Sequence, residues 1–172
     1  MKNPEPGPDL AALANPSMEQ YFLTNPAKIA LLMEAAGILP GDDVVEVGAG
    51  AGTVARHIPR CRSLTLVELD SRMAPLLTTV VPRATVITDD ALDVLPRIRF
   101  DVLLGNLPTG VTERLIPHLA TRGFRVAVLA VGENTDLNTL AELDFLEITT
   151  IAGTDFTPPQ PGLSRLVRVT QR

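Results

Sequence analysis

Three carboxylates stand at equivalent places along this chain, each just after or within the end of a short apolar run. Glu46 sits in Val44-Val45-Glu46-Val47-Gly48-Ala49-Gly50-Ala51-Gly52, where a buried strand runs into three glycines. Glycine accepts positive φ and carries no side chain, so such a loop lets backbone come close to a ligand. The spacing G-x-G-x-G differs from the G-x-G-x-x-G of dinucleotide sites. A carboxylate here also disfavours a pyrophosphate, and it can accept hydrogen bonds from ammonium or hydroxyl groups. Glu68 follows Gly48 by twenty residues, the place where doubly wound sheets put an acid on ribose hydroxyls. Asp90 ends the third run in Asp89-Asp90-Ala91-Leu92. Three acids in register suit a zwitterionic, cationic nucleoside better than NAD. Asp70 and Asp89 are more simply helix N-caps.

These acids need a parallel sheet to bring them together, and the pattern supplies one. Asn25-Pro26 predicts a capped helix stopped by Gly37. Strands are expected over 44–48, 63–69, 84–88, 100–106 and 124–131. Helices are expected near 52–58, 71–80, 91–95 and 111–120. That alternation means βαβ units with right-handed crossovers. After a last helix expected near 135–143, strands over 145–152 and 164–170 are joined by a proline-rich loop and are therefore antiparallel. The fold class is α/β, a Rossmann-like seven-stranded, mostly parallel sheet with an antiparallel last strand and helices on both faces. Residues 1–17, with four prolines, are expected to be a flexible leader, and 18–172 the folded domain.

Composition narrows the function. The 172 residues are 45% hydrophobic, and no apolar run approaches the ~18 residues of a membrane span. The formal charge is −5, lysine occurs only at 2 and 28, and aromatics are five Phe and one Tyr. A chain that grips nucleic acid alone usually shows a basic footprint or stacking platforms, and neither is present. The most compact basic group, Arg56, Arg60 and Arg62, is more simply a solvated surface. The lone Cys61 excludes an internal disulfide and a cysteine zinc cluster, and His57 and His118 have no metal-binding neighbours, so no metal is expected. The whole indicates an acidic, cytoplasmic, membrane-free domain.

The arrangement of glycine loop and strand-end acids resembles the S-adenosylmethionine-dependent class I methyltransferases. Four further segments are similar to one branch, the ribosomal RNA adenine dimethylase family. They are Gln20-Tyr21-Phe22-Leu23; Asn106-Leu107-Pro108; its continuation Val111–Leu119; and Phe156-Thr157-Pro158-Pro159 followed by Ser164. The resemblance implies S-adenosylmethionine as cofactor. It places Gln20 and the loop Glu46–Gly52 at the methionine end, Glu68 on the ribose and Asp90 on the adenine amine, with Phe22, Ala49, Leu69, Ala91 and Asn106 alongside. Methyl transfer from a sulfonium to an amine needs a nitrogen lone pair aimed at the methyl carbon. The Asn106 side-chain oxygen and the Leu107 carbonyl could accept both amine hydrogens, and Pro108 fixes the turn. Tyr21, Thr109 and Phe156 are the expected acceptor contacts.

The chain departs from that family pattern in two respects. Thr109 stands where the family places an aromatic, and Thr has no π-face. The chain also ends soon after the last strand, where the family carries a small helical domain. With the acidic charge, these features favour a small-molecule acceptor, with RNA the less favoured one. A cofactor binder without transferase activity, or a cyclase, is the remaining alternative. A homo-oligomer is compatible with the sequence, which names no interface.

Overall fold

The computed structural model describes residues 8–137 and 140–172. Seven strands form one sheet: β2 (Asp43–Val47), β3 (Ser63–Glu68), β4 (Thr85–Thr88), β5 (Val102–Gly105), β6 (Val126–Gly132), β7 (Leu143–Ala152) and β9 (Leu163–Gln171). Their order is β4-β3-β2-β5-β6-β9-β7. The first five strands are mutually parallel, and β9 runs antiparallel to both β6 and β7. All seven expected strands are present, with ends shifted by one or two residues. A separate two-residue pair joins β1 (Phe22–Leu23) to β8 (Phe156–Thr157). It ties the segment before the first long helix to the loop between the last two strands.

The helices are shorter than the sequence suggests. α2 (Pro26–Ala36) is capped by the Asn25 side chain and ended by Gly37 in the left-handed region, as expected. α5 (Thr109–Ala120) starts two residues earlier than expected. α3 (Ala74–Val80) and α4 (Ala91–Val94) are short, with 3-10 turns beside them. The helix expected over 52–58 is only a 3-10 turn at Ala55–His57: Gly52 has φ +75, and Val54 and Ala55 are drawn into the main apolar cluster. The helix expected near 135–143 does not form over its described residues. Residues 135–137 and 140–142 are non-helical, Leu143 already belongs to β7, and Asn138 and Thr139 lie outside the described residues. Arg165 explains part of this. Its guanidinium donates to the carbonyl of Thr135 at 2.5 Å, capturing an oxygen that a helix would use internally. Before Ser17 the chain already has structure: α1 (Leu10–Leu13) is capped by Asp9, and Leu10, Leu13 and Ala14 pack on the core.

Both faces of the sheet are covered. One apolar cluster holds α2 and the inner residues Val44, Leu66, Leu104 and Val128, and the other holds α4, α5, Val45, Leu103 and Leu129. Leu103 and Leu104 are both 0% exposed, which makes β5 a central strand buried on two faces. The amino ends of the parallel strands are tied by charge. Arg125 binds the buried Asp42 and donates to the carbonyl of Gly37 at 3.0 Å, while Arg62 bridges Asp43 and Asp101. Arg125→Ala is expected to cost about 1–3 kcal/mol, because it strands a buried carboxylate. Arg62→Ala, at an exposed pair, is expected to cost less. Urea unfolding of the two variants checks the order.

Candidate active site

The carboxyl ends of β2 and β5 lie side by side at the point where the strand order reverses, with Val47 paired to Gly105. The loop after β2 and the segment after β5 therefore meet. Gly48, at φ +68, is where they touch. A Cβ there would lie 2.5 Å from Leu107 Cδ2 and 3.3 Å from the Asn106 carbonyl oxygen. Gly50, at φ +52, is met by the Phe22 ring in the same way, at 2.8 Å. The sequence suggests glycines that admit a ligand. In the structure these two first admit Leu107 and Phe22, which become part of the site. Gly52, at φ +75, lies against Leu77 and Val80 and does not line the cleft.

A cleft opens beside this contact. Of the residues expected to hold the cofactor, Gln20, Phe22, Glu46, Gly48, Ala49, Gly50, Glu68, Leu69, Asp90, Ala91 and Asn106 all line it. Tyr21, Leu107 and Pro108 line it too. Sequence reasoning missed Met18, Glu19, Thr53, Val54, Val67 and Val111 as wall residues, and it set Asp89 aside. No residue-type signal marks the first six, because their placement follows from loop path. The lining carries five carboxylates (Glu19, Glu46, Glu68, Asp89 and Asp90) and no basic side chain.

The carboxylates differ in state. Glu68 accepts from the backbone N–H of Gly50 at 2.7 Å and of Asp70 at 2.8 Å. Burial pushes its pKa up, and those N–H groups oppose the rise. Glu46 is 4% exposed, and its Oε2 has no hydrogen-bond partner. Burial, reinforced by the charge of Glu68, pushes Glu46 up to about 8. Asp70 caps the turn at 71–73, as expected, and also receives Arg72 and the Gln20 side chain; the Arg72 hydrogen bond is the main reason its pKa falls to about 2. The helix cap expected of Asp89 is made by Asp90 instead. Asp90 caps α4 through Leu92 N–H at 2.8 Å, while Asp89 only receives the Asp90 N–H. Both still face the cleft.

A second cavity lies behind the first. Glu19, Tyr21, Asn106, Leu107 and Pro108 line both, so the Asn-Leu-Pro segment is their common wall. Asn106 Nδ2 donates to the carbonyl of Tyr21 at 3.1 Å. That fixes the amide and leaves Oδ1 without a partner among the described residues. The Leu107 carbonyl has only a long 3.4 Å contact from the Thr112 hydroxyl. Thr109 faces the second cavity, beside Gly132. Phe156, expected at the acceptor, lines neither cavity. It is 2% exposed in the core, pinned by its pairing with Leu23.

A profile described as ribosomal RNA adenine dimethylase matches residues 11–147. The chain belongs to the ribosomal RNA adenine dimethylase family. Among curated members of it, the small-subunit rRNA methyltransferase A of Chlorobium chlorochromatii is 30% identical over 141 residues, 75% of this chain and 52% of that protein. The corresponding protein of Thermobifida fusca is 34% identical over 114 residues, 60% of this chain and 40% of that one. The chain thus spans about half the length of the curated relatives it matches. A dimethyladenosine transferase structure from Plasmodium falciparum superposes with TM-score 0.78 at 21% identity, covering 88% of this chain and 63% of that one. The 23S rRNA methyltransferase ErmE superposes with TM-score 0.75 at 21% identity, covering 88% and 70%. These two likenesses show the fold.

S-adenosylmethionine is the cofactor that membership of the dimethylase family implies, and the residues fit it. An unpartnered, buried Glu46 oxygen in a cleft whose charged lining side chains are all acidic is suited to a cationic ligand. In the empty protein the same group gives a pH signature. Its native pKa is raised, so between about pH 4.5 and 8 the native state holds a proton that the unfolded chain has released. Stability therefore falls as pH rises through that window. Glu46→Gln removes this dependence. The Tm of the wild type relative to Glu46→Gln is expected to decline from pH 5 to pH 8 in thermal scans.

Proposed function

We propose that this chain transfers a methyl group from S-adenosylmethionine to the exocyclic N6 amine of an adenine in ribosomal RNA. The observation that carries this is the Asn106-Leu107-Pro108 partition between an acidic cleft and a second cavity. S-adenosylmethionine, when bound, supplies an electrophilic methyl carbon on a sulfonium. Asn106 Oδ1 and the Leu107 carbonyl accept the two amine hydrogens. This aims the nitrogen lone pair through the partition and raises its electron density. Tyr21 holds the Asn106 amide in the orientation that leaves Oδ1 available. With the cofactor bound, an amine held by Asn106 and Leu107 would be in line to take the methyl group, the C–S electron pair would return to sulfur, and the surplus proton would leave to solvent.

The acceptor differs from the small molecule favoured by composition. The curated relatives described above are named rRNA methyltransferases, which favours an RNA acceptor over a small one. Thr109 leaves the second cavity without an aromatic at that position, but Tyr21 offers a ring on its wall.

The test is methylation of deproteinised ribosomal RNA and of small ribosomal subunits with isotopically labelled cofactor, read by mass spectrometry of digested nucleosides. Methylated adenosine is expected. Asn106→Ala is expected to cut turnover about a hundredfold while leaving affinity for S-adenosylhomocysteine largely intact. Methylated small amines with unmodified adenosine would overturn the acceptor assignment. Methylation unaffected by Asn106→Ala would overturn the role given to Asn106, and cofactor binding with no methylated product from any acceptor would favour a cyclase or other non-methylating role.

A further inference from the structure

The second cavity has a wall that the transfer step leaves unused. It is formed by the loop before β9 and the start of that strand, where Gln160 and Ser164 face the space behind Asn106. Gln160 Nε2 donates to Ser164 Oγ at 2.8 Å. Both partners are held by backbone. Ser164 is paired in β9 with Gly132 on one side and Ile151 on the other. The Gln160 N–H donates to the Gly153 carbonyl at 3.1 Å, and a Cβ at 153 would lie 2.1 Å from the Gln160 carbonyl oxygen. The close approach of the two chains therefore requires glycine at 153, and it locks the turn that aims Gln160.

A carboxamide offers two donor and two acceptor positions, and the bond to Ser164 uses one of them. The remaining positions of Gln160, on a half-buried side chain, are available to whatever fills the cavity. Across the space, Thr109 provides no π-face. Thr109 therefore leaves that side of the cavity to polar contacts, and a site built to hydrogen-bond its substrate rejects analogues that cannot reciprocate.

We infer that Gln160, oriented by Ser164, sets acceptor specificity by hydrogen bonding to the ring-nitrogen edge of a flat heteroaromatic amine whose amino group is held at Asn106 and Leu107. Gln160 is the specificity-determining residue, and Ser164 and Gly153 are positioning residues. The acceptor class is an aminated nitrogen heterocycle rather than an alkylamine or aniline. This rests on the methyl-transfer function proposed above, and its failure can be told apart from failure of that function.

The experiment uses the full chain, S-adenosylmethionine and a single-stranded RNA oligonucleotide with one adenosine, alongside the same RNA carrying 1-deazaadenosine or 7-deazaadenosine. The wild type is expected to lose roughly two- to tenfold in kcat/KM on one of the two analogues, the size of one hydrogen bond. Gln160→Leu is expected to lose a similar factor on adenosine and nothing further on that analogue, a non-additive cycle in which intrinsic amine reactivity cancels. Gln160→Met serves the same purpose if Gln160→Leu does not fold. Calorimetric affinity for S-adenosylhomocysteine should be unchanged in either variant. A wild type indifferent to both analogues overturns the inference, as does a variant that keeps the full deaza penalty. Additive losses with weakened S-adenosylhomocysteine binding indicate a merely structural role and also overturn it. Wild-type binding of S-adenosylhomocysteine with no methylation of the adenosine RNA overturns the function and this inference together.

Discussion

The site depends on an absent Cβ. At Gly48 the end of β2 turns with φ +68 directly under the segment that leaves β5, and a methyl group there would overlap Leu107. Adjacent parallel strands bring these loops within reach, since Val47 and Gly105 are paired neighbours. The left-handed backbone at 48 and the Asn106 carbonyl, 3.3 Å from where a Cβ would stand, favour glycine at this contact. From that contact follow the partition made by Asn106, Leu107 and Pro108, the cleft on one side and the cavity on the other. The second glycine contact, Phe22 on Gly50, brings in the segment Gln20–Phe22. The Tyr21 carbonyl in that segment then orients Asn106. Two close approaches thus organise three stretches of chain that are remote in sequence.

Charge is divided between the two ends of the sheet. At the amino ends of the strands, Asp42, Asp43 and Asp101 have arginine partners, and the pairs hold the sheet together. At the carboxyl ends, Glu46 and Glu68 face a common cleft with no basic side chain in its lining. Glu68 is satisfied by two backbone N–H groups, whereas one Glu46 oxygen has no partner. An unpaired buried carboxylate disfavours the folded state once ionised, and such groups concentrate where a ligand supplies the missing charge. The protein therefore carries a local cost in its empty state that a cation would relieve.

Much of this was legible in the sequence. The alternation of apolar runs and helices gave all seven strands, because buried parallel strands are written as short, continuous apolar segments. The strand-end acids and Asn106-Leu107-Pro108 could be placed because strand ends and switch points are fixed by topology. What escaped was set by tertiary contact. Phe156 reads as an acceptor-facing aromatic, yet its pairing with Leu23 turns it into the core. The stretch after Gly52 reads as a helix, yet with Gly52 at φ +75 it makes only a 3-10 turn at Ala55–His57. Gln160 carries no local signal, since its position comes from a contact with Gly153 seven residues earlier. The small-acceptor preference came from net charge, Thr109 and the helical domain that the family pattern carries after the last strand, all of which describe the chain less specifically than its relatives do.

The most direct test of the two-chamber site is a crystal structure of the chain with S-adenosylhomocysteine bound. The ligand is expected in the cleft lined by Glu46, Glu68 and Asp90, with the cavity behind Asn106 still open for an acceptor. A ligand seated in that second cavity, or anywhere outside the acidic cleft, would contradict the arrangement on which the proposed methyl transfer rests.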